Sequence, residues 1–109
     1  MEFFDEEFEK LYREKLNKGL FAITCKEYRE QSEKPGRLVC YGRVYHDESR
    51  ETYEEGQVEF DIIEKPNGEI VIRPIPGGED KLTSGLANKF ILRYVMDFYG
   101  LQLKRPKQP

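Results

Sequence analysis

The run Val58-Glu59-Phe60-Asp61-Ile62-Ile63-Glu64, continued by Lys65-Pro66-Asn67-Gly68-Glu69 and Ile70-Val71-Ile72-Arg73-Pro74, decides the fold. Val58, Phe60 and Ile62 alternate with Glu59 and Asp61, the period-two pattern of a half-buried strand. Pro66-Asn67-Gly68 predicts a type I turn with Gly68 in the left-handed region. Facing Lys65 against Glu69 sets Phe60 opposite Pro74, Ile62 opposite Ile72, Asp61 opposite Arg73 and Ile63 opposite Val71. Apolar groups meet apolar groups and opposite charges meet, whereas a slip of one residue would set Ile62 against Arg73. Pro74 and Pro76 predict that this last strand is an edge or ends early.

Upstream lies a second hairpin. Leu20-Phe21-Ala22-Ile23 is a continuous apolar run, suited to a covered strand, and a solvated segment of Lys, Glu, Arg and Gln follows it. Lys34-Pro35-Gly36-Arg37 reads as the turn, and Leu38 to Tyr45, rich in Val and Tyr, as the returning strand. Facing Lys34 against Arg37 sets Cys25 opposite His46 and Cys40 opposite Gln31. The sulfurs would then lie roughly 20 Å out of step, so two free thiols are expected. His46 to Tyr53 is polar and reads as a loop.

Helices flank the hairpins. Phe4, Phe8, Leu11, Tyr12 and Leu16 recur at helical spacing and predict a helix over 3–18, with Asp5, Glu6 and Glu7 in its first turn and Gly19 as its cap. Leu82, Leu86, Phe90, Tyr94 and Phe98 repeat every four residues beside Ala87, Ile91 and Val95. They predict a second helix from Asp80 or Ser84 to Tyr99, with an apolar arc wide enough for a buried helix or for a further contact surface. The expected fold is a single α+β domain over 1–100: an N-terminal helix, a four-stranded antiparallel sheet of two hairpins, and a C-terminal helix. Ile63, Val71 and Ile75 look toward the second sheet face, which is expected to lie under the first helix or a partner. Residues 101–109, basic and Pro-containing, read as a disordered tail.

The 109 residues carry 18 Lys or Arg and 21 Asp or Glu, a net charge of −3. That balance excludes a uniformly basic binder of polyanions. The charge is uneven, however. From Asp47 to Glu64 there are eight acids and one base, a net −7, which leaves +4 elsewhere. No stretch approaches the roughly 20 apolar residues of a membrane span. The opening Met1-Glu2-Phe3-Phe4-Asp5 lacks the positive start and apolar run of a secretory signal, so a cytoplasmic location is expected. Zinc-ligand spacings, Gly-rich phosphate loops and nucleophile motifs are absent, and no catalytic residue, metal or cofactor is predicted.

These exclusions point to a small non-enzymatic protein-binding module. Asp47, Glu48, Glu51, Glu54, Glu55, Glu59 and Asp61 form an acidic segment suited to a partner with a basic surface. Its most specific form is an acidic inhibitor or immunity-type protein that blocks a toxin or a nucleic-acid-handling enzyme. The plainer reading is a solvated loop and strand face. The alternative is a nucleic-acid-binding module in which Tyr41, Arg43 and Tyr45, sharing one strand face, act with the basic tail. Surplus apolar positions on the last helix, or an unpaired fourth strand, offer a route to a homodimer.

Overall fold

The computed structural model describes residues 4–28, 36–74 and 85–99. Helix α1 (Glu6–Lys18) is followed by β1 (Phe21–Tyr28), β2 (Gly36–Tyr45), β3 (Tyr53–Glu64), β4 (Ile70–Pro74) and helix α2 (Leu86–Tyr99). The strands form one antiparallel sheet in the order β1-β2-β3-β4. The architecture is the expected α+β arrangement of helix, two hairpins and helix. The expected tip of the first hairpin, Ile75, the start of the second helix before Gly85, and the tail fall outside the described residues.

The β3–β4 hairpin has the expected register, with Phe60 opposite Pro74, Asp61 opposite Arg73, Ile62 opposite Ile72 and Ile63 opposite Val71. Lys65 N–H donates to the Glu69 carbonyl at 2.8 Å, and Gly68 takes φ +87° as the turn requires. Strand β3 starts earlier than the alternation suggests. Tyr53 pairs with Tyr45, so the loop between β2 and β3 covers only 46–52.

The β1–β2 hairpin departs from expectation. Cys25 pairs with Cys40, six residues away from the register set by a turn at Pro35-Gly36. The two cysteines form a disulfide across the strands, with Cα atoms 4.1 Å apart, so the expected free thiols are not found. A six-residue slip is an even number and leaves every side chain on its original face, so the hydrophobic pattern does not discriminate the two registers. Gly36 and Arg37 are strand residues, paired with Ile62 and Asp61 of β3.

Both helices pack on one face of the sheet. Phe8 and Tyr12 of α1 meet Phe90 of α2 with ring centroids 5.3 Å apart, and Phe21 of β1 joins them at 5.2 Å from Phe90. Leu38, Cys40, Val44, Val58, Phe60, Ile62 and Ile72 supply the sheet side of the core, and Ile91, Leu92 and Val95 the α2 side. Helix α2 reaches the sheet over a pair of facing glycines, Gly42 of β2 and Gly56 of β3. A Cβ on Gly42 would stand 2.7 Å from Ile91 Cγ1, and one on Gly56 would stand 3.1 Å from Ala87 Cβ. Gly85, at φ +87°, is outside the helical region, and α2 begins at Leu86.

Helix α1 begins one turn later than expected. Asp5 is its N-cap, and its carboxylate accepts from the Phe8 amide at 2.8 Å. Gly19 provides the left-handed cap. Leu16, expected on the apolar face, is exposed, whereas Lys15 is buried. Its ammonium donates to the Tyr45 carbonyl at 2.5 Å and the His46 carbonyl at 3.3 Å, tying the helix to the end of β2. Glu9 reaches the other helix, where Arg93 Nε donates to both its carboxylate oxygens at 2.9 Å. No helix among the described residues is long and apolar enough to cross a membrane.

Candidate protein-binding face

With both helices on one side, the opposite face of the sheet has no described element over it. The first helix does not cover it, contrary to one expectation. Side chains of a strand alternate between faces, and those opposite each other in register share a face. The bare face therefore carries Ala22, Thr24, Lys26 and Tyr28 of β1; Arg37, Val39, Tyr41, Arg43 and Tyr45 of β2; and Tyr53, Glu55, Gln57, Glu59, Asp61 and Ile63 of β3. Tyr28, Tyr41 and Tyr53 are 49%, 40% and 42% exposed, large aromatic surfaces left in solvent.

Tyr41, Arg43 and Tyr45 stand in one row of this face, as the sequence predicts, and the structure adds Tyr53 and Glu55 to them. Arg43 Nη2 donates to Glu55 Oε1 at 2.9 Å, and its guanidinium lies 4.1 Å from the Tyr53 ring centroid. Tyr53 meets Tyr45 edge-on at 6.0 Å. Hydrogen bonding with the Tyr41 hydroxyl, and then with Arg43, holds the Glu55 carboxyl below its usual range. The same Glu55 contact raises Tyr41, and Tyr41, Glu55 and Tyr45 together raise Arg43. Each shift favours the ion-paired state, so Arg43 and Glu55 are both charged at neutral pH.

The acidic segment is divided by the fold. Glu55, Glu59 and Asp61 lie on the bare face, where Arg43 holds Glu55 and Arg37 stands 3.7 Å from Glu59. Asp61 is half-buried opposite Arg37. Asp47 and Glu48 belong to the β2–β3 loop. Asp47 Oδ1 accepts from the Ser49 amide at 2.9 Å and from the Ser49 hydroxyl, which lowers the Asp47 pKa. Glu48 lies 3.4 Å from Lys18 of α1. The loop is further tied to α1 by Arg50, which donates to the Gly19 carbonyl at 3.2 Å. Glu51 and Glu54 are exposed and make no ion pair with another described residue.

The seven carboxylates are therefore not one free patch. Two hold the loop, Glu55 and Glu59 are matched by arginines of the neighbouring strand, Asp61 is half-buried opposite Arg37, and Glu51 and Glu54 have no ion-pair partner among the described residues. Sequence reading missed Tyr53, which it placed in a loop, and the β2 arginines as partners of the β3 acids. Strand register alone would have revealed both. No family model matches the chain, and no curated protein or solved structure is significantly similar to it.

Proposed function

We propose that the protein is a small non-enzymatic binding module that recognises another protein through the bare face of its sheet. The observation that supports this reading is the one-sided placement of the helices, which leaves Tyr28, Tyr41, Tyr45 and Tyr53 uncovered around a mixed-charge centre. Tyrosine gives large contact area at low conformational cost and is enriched in protein interfaces. The face balances Lys26, Arg37 and Arg43 against Glu55, Glu59 and Asp61. Paired guanidinium groups with carboxylates beside them are poorly suited to a phosphate backbone, which makes the nucleic-acid alternative the weaker one.

The narrower reading, an acidic inhibitor of a partner with a basic surface, rests on Glu51 and Glu54, which are exposed and have no ion-pair partner among the described residues. The disulfide favours an oxidising compartment over the cytoplasm expected from the sequence.

The test uses the immobilised chain beside a Tyr41→Ala/Tyr53→Ala variant and a Glu51→Lys/Glu54→Lys variant. Partners captured by the wild type are identified, purified and titrated calorimetrically against each. The tyrosine variant is expected to bind at least about tenfold more weakly, as truncation of aromatic anchors does. The acid variant weakens binding if the partner is basic. Affinity that survives both changes and falls instead with Phe98→Ala on α2 would move the binding surface to the helices. Salt-dependent binding of single-stranded oligonucleotides, lost in Tyr41→Ala, would replace the reading with the nucleic-acid one.

A further inference from the structure

The charges of the bare face are sorted by strand. The cations Lys26 of β1 and Arg37 and Arg43 of β2 lie on one half, and Glu55, Glu59 and Asp61 on β3. The register places them at matching heights, with Arg43 beside Glu55 and Arg37 beside Asp61, while Tyr41 stands beside Gln57 and Tyr45 beside Tyr53. A surface arranged in this way is complementary to itself. A two-fold axis parallel to the strands, running between β2 and β3 just above the face, lays β2 of one copy over β3 of the other without changing heights. Arg43 then faces Glu55 of the second copy, and Glu55 faces its Arg43.

Resting on the reading of this face as a protein-binding surface, we infer that its partner is a second copy of this chain, docked sheet to sheet. Packed sheets cross at about 30°, so two residues from the centre at Tyr41 the strands part sideways by roughly 3 Å, less than the strand spacing of about 4.8 Å. The Arg43–Glu55 match therefore survives the twist. Each arginine gains a second carboxylate, making a four-charge cluster with alternating signs. The four strands, of eight, ten, twelve and five residues, present a face of roughly 550 Å², or about 1,100 Å² counted over both copies. That is the lower edge of specific interfaces, so the dimer is a weak one that dissociates on dilution and with added salt.

A charge exchange tests this. Arg43→Glu gives a wholly acidic centre and Glu55→Arg a wholly basic one. Neither substitution touches the helix side, and circular dichroism and disulfide content check that each variant folds. By sedimentation equilibrium up to about 1 mM, the wild type is expected to dimerise. Each variant alone should dissociate at least about tenfold more readily, because like charges now face each other. An equimolar mixture of the two should dimerise again, since every facing pair then has opposite signs. A general loss of stability would not produce that recovery. A wild type that stays monomeric throughout, variants that dimerise unchanged, or a mixture that fails to recover would each overturn the inference. A monomeric wild type that binds a different protein, with affinity lost in Tyr41→Ala/Tyr53→Ala, overturns the second-copy assignment while leaving the binding face intact. Loss of both self-association and any such binding removes the binding face as well.

Discussion

Reducing the Cys25–Cys40 disulfide is expected to cost about 3 kcal/mol of folding stability. The bond closes a loop with a sequence separation of 15, and restricting an unfolded chain by a loop of that length is worth about 3 kcal/mol. Reduction leaves both sulfurs on the core face, with Cys40 still fully buried, so no cavity adds to the effect. A domain of this size has about 5–15 kcal/mol in total, so the loss is a large share without being fatal. Urea unfolding followed by far-ultraviolet circular dichroism, with and without reductant, measures it. At a slope of about 1–3 kcal/mol per molar urea, the midpoint should fall by on the order of 1–3 M. The slope itself should rise, because the reduced unfolded chain is less compact. Coincident midpoints would refute the cross-link's role. Alkylation of both cysteines in protein never exposed to reductant would refute the disulfide itself.

Other outcomes follow from the core and the helix contacts. Gly42→Ala should destabilise by about 1–3 kcal/mol, because its Cβ would crowd Ile91. Combined with Ile91→Ala, thermal or urea unfolding should show a loss smaller than the sum of the two single losses, and strict additivity would contradict the contact. Tyr12 is 2% exposed, and its hydroxyl has no hydrogen-bond partner among the described residues. Tyr12→Phe should therefore be neutral or stabilising at pH 7, and a loss above about 1 kcal/mol would reveal a partner. Burial also raises the Tyr12 pKa to about 12. The unfolded chain releases this proton from about pH 10 while the folded chain holds it, so the native state loses stability as pH rises from about 10 to 12. Tyr12→Phe should remove that share of the alkaline loss, and identical pH profiles for the two proteins would contradict the assignment. The Glu9–Arg93 pair, at most about a quarter exposed, should show about 1 kcal/mol of coupling in a double-mutant cycle; the more exposed Arg43–Glu55 pair of the monomer should show less.

The β3–β4 hairpin was legible because three signals agree. The turn residues, the alternation and the cross-strand charges all select one register. In β1–β2 the turn chemistry was the only strong signal, and it misled. The alternation is indifferent to a six-residue slip, and a one-chain reading does not weigh the pairing of Gly36 and Arg37 with β3. Helix positions followed from spacing, but their side of the sheet did not. The deciding feature there is the Gly42–Gly56 pair, which opens a seat for Ala87 and Ile91 on one face only. Finding it requires the β2–β3 register, since the glycines are 14 positions apart in sequence. The acidic segment was visible as composition. Its division among Lys18, Arg37 and Arg43 was not, because those cations come from other elements of the fold.

The bare sheet face can be measured directly by tyrosine nitration followed by peptide mapping. In the dilute chain, Tyr41 and Tyr53 are expected to be modified readily and Tyr12 to remain protected. At high protein concentration, or with a bound partner, Tyr41 and Tyr53 should become protected while Phe98→Ala changes nothing. Slow nitration of Tyr41 and Tyr53 in the dilute chain, or full reactivity in the associated state, would contradict a binding surface on that face.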